Sequence, residues 1–292
     1  MRSRESMVPF TVDQRIERAM PNPGPARARH RPGRSSSSVP QLGAPGWTDT
    51  VRHTLESLIR RGAGRRLPVT LDFDNTVICG DIGEATLAVL VRRGLLDARR
   101  LPPTLSPVFR QPDGTLIEPD AAPGLIRYYE AYLAPTAHGP ADPTPLANAY
   151  TWAVEVLAGL RVSDVVSATA EAFAGSRPGE LVPIEVGLGQ PAYPAPYFQP
   201  EMVELIATLL RHEFEVWIVS ASNVWSVRHL VLEGLNPLLR GLGLKSGLAP
   251  DRVLGASTLL TDRRHALFKD AVLVRECARY ARLDRPLLSR FT

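Results

Sequence analysis

Lysine is nearly absent from this chain. Among 34 basic residues only Lys245 and Lys269 are lysines, so any role that needs a lysine has two candidates. Cysteine is as scarce, at Cys79 and Cys277, and neither lies in a metal-type spacing. A cytoplasmic location is the expectation for such a chain. No run approaches the roughly 20 apolar residues of a membrane span, and "MVPF" near the start is too short for a signal-peptide core. No G-x-G-x-x-G follows the first apolar strand, which argues against a dinucleotide-binding dehydrogenase. A basic excess is also missing from most of the chain. Residues 1–46 hold eight arginines against three acids, and the rest is close to neutral. The pI near 9.3 therefore does not signal a nucleic-acid partner for the folded part.

What is present is enough apolar residue, 44% of 292, for one or two folded domains. Residues 1–46 are rich in Arg, Pro, Gly and Ser and have little to bury, so a disordered tail is expected there. Order is expected from Trp47, where Val51, Leu55, Leu58 and Ile59 mark one helix face ended by Gly62 and Gly64. "LPVTLDF" then reads as a short strand of the fully buried kind. Residues 81–190 lack a good strand. Helical patterns recur there at 84–95, 124–134, 146–160 and 163–174, the last with Ser163 as its N-cap. Past residue 190 come a helix opening at Pro200, the strand "EVWIVSAS", the helix "VWSVRHLVLEGL" ending near Gly234 and Pro237, and the strand "DRVLGAS". Strand and helix alternation implies an α/β, Rossmann-like parallel sheet made from 47–80 and 191–292, interrupted by a helical insertion at 81–190.

In such sheets ligands bind beyond the carboxyl ends of the strands. One strand ends in Asp72-Phe73-Asp74-Asn75-Thr76 and another in Ser220-Ala221-Ser222-Asn223. Two carboxylates at i and i+2 suit phosphoryl transfer. One attacks phosphorus; the other protonates the leaving oxygen and then activates water. A divalent cation offsets their repulsion, and Mg²⁺ suits an all-oxygen site. Ser220 supplies a hydroxyl, and the amides near Asn75 and Thr76 supply further donors, to phosphate oxygens.

"DFDNTV" and "VWIVSAS" together resemble the first two motifs of the haloacid dehalogenase superfamily, in the right order. A helical insertion after the first motif resembles the cap of its phosphoserine phosphatase-like branch. The resemblance implies Asp72 as nucleophile and Asp74 as general acid and base. It implies Mg²⁺ on the Asp72 carboxylate and the Asp74 carbonyl, and phosphate on Ser220. The expected substrate is a small phosphorylated metabolite, with no nucleic acid and no membrane as partner. An acid at the offset of Asp81 contacts the substrate's amino group in that branch, and Glu84 stands beside it. Asp81 and Glu84, three apart before an apolar helix, also form a helix-capping pattern, and both roles are compatible. Tyr128, Tyr129, Tyr132, Tyr150 and Trp152 read as core of the insertion, with an aromatic wall for a cationic head group as the rival role.

The superfamily also carries a later lysine and an acidic pair. Lys269, 49 residues past Ser220, is the better lysine candidate, and Lys245 in a glycine-rich loop the weaker. After Lys269 the acids are Asp270, Glu276 and Asp284, none at the end of an apolar strand. The resemblance therefore leads to a C-terminally truncated member with reduced activity. The alternative function is a non-catalytic remnant that binds phosphate, metal or protein. A phosphorelay receiver fits less well, because it has no helical insertion.

Overall fold

A computed structural model describes residues 39–292 except 98, 100, 102–104, 106–108, 111–113, 115, 118–123, 131–148, 188–191, 258, 262–266, 269–286 and 289–292. Lys269, Tyr132 and most of the expected tail lie outside the described residues. The last part of that expected tail, residues 39–46, is held in place. Leu42 is buried, and the amides of Gly43, Ala44 and Gly46 donate to Glu204 and Glu201. Helix α1 (Asp49–Gly62) follows, opened by the Thr48 hydroxyl.

The sheet that carries the candidate site has three parallel strands in the order β1-β8-β9. Strand β1 is Pro68–Leu71, β8 is Glu215–Asn223 and β9 is Val253–Ala256. Val69 lies opposite Val216, and Leu71 opposite Ile218. Strand β1 was expected to be fully buried, but it alternates exposed and half-buried residues. The reason is its place. Among the described strands it lies at the sheet edge, so its chain is covered on fewer sides than that of the central β8, whose Val216, Ile218, Ser220 and Ser222 are buried.

Between β1 and β8 the chain leaves the sheet and returns through one antiparallel ladder, β2 (Ile78–Cys79) against β7 (Tyr197–Phe198). The residues between these two strands form mainly helices: α2 (Ile82–Arg92), α3 (Leu125–Tyr128), α4 (Ala149–Glu155) and α5 (Val162–Phe173). Two-residue ladders accompany them, β3 (Phe109–Arg110) with β4 (Leu116–Ile117) and β5 (Pro183–Ile184) with β6 (Tyr193–Pro194). Helix α5 begins two residues earlier than Ser163 suggested. Arg161 is the N-cap, and Asp164 reaches back to accept its N–H at 3.1 Å. Helix α6 (Pro200–Arg211) carries Pro at its first position.

After β8, α7 (Val224–His229) runs into a π-helical turn, Leu230–Leu235, and on into α8 (Asn236–Gly241). The helical path was expected to stop near Gly234 and Pro237. Proline instead sits in the first turn of α8, the part of a helix that best accepts it. Three fully buried hydroxyls tie α2, α5 and α7 together: Thr169 lies 2.6 Å from Ser226 and 3.0 Å from Thr86. Each satisfies the others, so these polar groups need no water.

Candidate functional site

The site forms where β1 and β8 end side by side. Asp72 leaves β1 exposed to solvent, with one long hydrogen bond from the Thr76 hydroxyl at 3.3 Å. Asp74, two residues on, turns inward. Its Oδ1 accepts the Ile82 N–H at 2.8 Å, and its Oδ2 accepts the Ser220 hydroxyl at 2.8 Å across 146 residues of sequence. The two acids thus have opposite surroundings.

Burial first, and the negative charge of Asp72 last, hold the Asp74 carboxyl above its ordinary range. The bonds from Ile82, Ser220 and Ser222 pull the other way. Ser222, with its backbone N–H on the Ser220 oxygen at 3.0 Å, shares the face of Ser220 because strand side chains alternate. That alternation was the available sequence signal for a second hydroxyl on Asp74.

The loop between the acids and β2 is tightly wound. The N–H groups of Thr76, Val77 and Ile78 all point to the Phe73 carbonyl, at 3.4, 2.9 and 3.0 Å. Asn75 takes a left-handed φ of 53°, a conformation that asparagine tolerates better than most residues. Its N–H donates to the Gly80 carbonyl, and its Oδ1 accepts the Gly80 N–H. Asn75 therefore closes the loop, and both of these groups are engaged within it.

Asp81 is the N-cap of α2 and accepts the Glu84 N–H at 2.9 Å. Its carboxyl is pushed up to about 7, by burial first and then by the charges of Asp74 and Glu84. Glu84 is raised as well, chiefly by burial, and its Oε1 accepts the Tyr129 hydroxyl at 3.1 Å. Asp81 and Glu84 line a small cavity of about 20 Å³ together with Tyr129, Val154, Ser222 and Asn223. That is the scale of a single water molecule. Gly83 lets α2 come this near β8, since a Cβ there would stand 2.8 Å from the Ser222 oxygen.

Of the aromatic residues, Tyr128 and Trp152 are buried core, and the Trp152 indole donates to the Leu105 carbonyl. Tyr129 stacks on Trp152 at 5.9 Å yet turns its hydroxyl to Glu84, a contact across 45 residues that no local pattern announces. The Tyr150 side chain lies outside the described residues. Asn223 is the N-cap of α7, accepting the Ser226 N–H at 2.9 Å. Lys245 is exposed on the segment after α8. Among the described residues no group of three or more His, Cys, Asp and Glu side chains converges to hold a metal, and no helix is long and apolar enough to cross a membrane.

No family model matches this chain, and no curated protein matches it. Among solved structures it resembles a conserved functionally unknown protein from Anaerococcus prevotii DSM 20548, with a TM-score of 0.50 at 16% identity. The match covers 76% of this chain and 71% of the other, and at that identity it speaks for a shared fold alone.

Proposed function

We propose that this chain is a Mg²⁺-dependent phosphomonoester hydrolase that works through a phosphoaspartate at Asp72, with 81–190 as a helical cap over the site. The observation that carries this reading is the Ser220 hydroxyl on the Asp74 carboxylate at 2.8 Å, which joins the two motif strands at one point. Their resemblance to the haloacid dehalogenase superfamily supports it, as does the chain's departure and return through β2 and β7.

The roles follow from the environments. Asp72 is exposed and lightly bonded, so its carboxylate is free to attack phosphorus. Asp74 favours its protonated form relative to an ordinary carboxylate, which suits a group that donates to the leaving oxygen. Once it has donated, the same carboxylate takes a proton from the water that cleaves the phosphoaspartate. The Ser220 hydroxyl would exchange its bond with Asp74 for one to a phosphate oxygen, steering Asp74 toward the leaving group.

Mg²⁺ is commonly held by one or two carboxylates, with substrate phosphate and water completing the shell. The oxygen-only donors at this strand end fit that habit: the Asp72 carboxylate and the Asp74 backbone carbonyl would hold the ion. When bound, it would neutralise charge on the phosphoryl group.

By the same resemblance Asp81 meets a cationic group on the substrate, and Glu84 shares its cavity. The small cavity has two carboxyls and no basic residue in its lining, so a compact ammonium suits it better than a carboxylate.

The test is phosphate release by the purified chain with Mg²⁺ from para-nitrophenyl phosphate, an aminoalkyl phosphate and a carboxyalkyl phosphate. The expected order of kcat/KM among the alkyl esters is aminoalkyl well above carboxyalkyl. Phosphate binding without release in any case would move the assignment to the binding-module alternative.

A further inference from the structure

We propose that Gln199 is the clasp that holds the loop from Asp72 to Gly80 in its reactive shape, a positioning residue for the hydrolysis proposed above and resting on that reading for its catalytic consequence. Gln199 stands where β7 ends and α6 begins. It is the N-cap of α6, a place where Ser, Thr, Asp or Asn normally spends its side chain on the helix amides. Gln199 makes no such bond. Its side chain turns away from its own helix and back to the loop.

One residue there takes three consecutive carbonyls. The Gln199 side-chain amide donates to the Thr76 carbonyl at 3.1 Å and, more weakly, to the Ile78 carbonyl at 3.4 Å. Its backbone N–H donates to the Val77 carbonyl at 3.1 Å. The N–H groups of the same three loop residues converge on Phe73, so the loop is held on both sides. This arrangement is coupled directly to the acids. Thr76 carries the hydroxyl that bonds Asp72, and Asp74, at the start of the same loop, accepts from Ile82 and Ser220.

Position in the chain adds a second reason. Gln199 directly follows Phe198, the β7 residue opposite Ile78. The segment between β2 and β7 therefore re-enters the sheet region through the residue that grips the loop. A shift of that segment would reach the loop through Gln199, beside the ring of Phe198, which packs edge-on against Phe73 at 6.4 Å. A loop that presents two carboxylates tolerates little misplacement, since errors of about 1 Å cost on the order of 100-fold in rate.

Two substitutions in the full chain separate the clasp from helix stability. Gln199→Ser supplies a preferred N-cap but is too short to span to Thr76; Gln199→Leu keeps size and removes the donors. Hydrogen exchange read by mass spectrometry over 72–80 is compared with the melting temperature and with kcat and KM for para-nitrophenyl phosphate. The expected result for Gln199→Ser is a melting temperature equal to or above that of the unaltered chain. With it should come exchange at 75–78 faster by about 10-fold or more. The kcat should fall about 10- to 100-fold with KM within about twofold. Unchanged exchange over 72–80 in both variants would overturn the clasp, whatever the activity. Faster exchange with unchanged kcat would overturn its catalytic role. An unaltered chain that releases no phosphate would instead fail the hydrolase reading, and the exchange comparison would still decide the clasp.

Discussion

Four acids fall within 13 residues of sequence, and the fold sorts them into two regions with different physics. The loop after β1 sets Asp72 in solvent and turns Asp74 inward onto Ile82 and Ser220. The start of α2 sets Asp81 and Glu84 in the lining of a small cavity, where burial raises both. Closely spaced carboxylates are thus not interchangeable. An exposed one is open to a substrate, whereas burial shifts the others toward their protonated forms. The left-handed turn at Asn75 and the bonds between Asn75 and Gly80 mark the division between the two regions.

Asp72→Asn should do the most damage to this division of labour. It removes the proposed nucleophile and should lower kcat by about 1,000-fold or more, read as phosphate release at saturating substrate. Asp74→Asn should lower kcat on an alkyl phosphate by about 100- to 1,000-fold. Para-nitrophenolate leaves without a proton, so the first step on that ester should be spared. Rapid mixing would then show a burst of nitrophenolate followed by slow turnover. Equal losses on both esters, with no burst, would remove Asp74 from the proton-transfer role.

At the second region the expected effect is on stability. The folded chain raises Asp81 from 3.8 to about 7, so between those values it holds a proton that the unfolded chain releases. Stability from this group is greatest below pH 4, falls as pH rises toward 7 and levels off above. Asp81→Asn keeps an N-cap acceptor for α2 and removes the charge. At pH 8 the variant should be more stable than the parent, by on the order of 2 kcal/mol, with the advantage shrinking toward pH 4. Urea melts at several pH values read this directly, and a variant less stable at pH 8 would contradict the account. The smallest effect is expected from Asn223→Ala, which removes the cap of α7 and should cost about 1 kcal/mol, or about 2–4 °C in melting temperature.

Much of this was legible in the residues themselves. The apolar runs ending at Leu71 and near Ser220 announce strands, Pro200 announces the start of α6, and Asp81 with Glu84 announces the start of α2. Each is a local signal. What escaped depends on neighbours far away in sequence. The half-exposure of β1 follows from its edge place, which no single strand pattern states. Tyr129 reads as core by its periodicity, and only the packing of α3 turns its hydroxyl to Glu84. Gln199 reads as an indifferent helix start, because its partners lie more than 120 residues upstream. The continuation into α8 was hidden because proline signals both an end and a beginning of helices.

The central claim is that Asp72 becomes phosphorylated. Trapping is most direct in the Asp74→Asn variant, where the second step should stall. The variant is incubated with substrate and Mg²⁺, quenched, and reduced with borohydride, which converts a phosphoaspartate to homoserine. Peptide mass spectrometry over 69–84 then locates the change. The account predicts it at Asp72 alone. Modification at another residue, or turnover by the unaltered chain with no trapped adduct at Asp72, would contradict it.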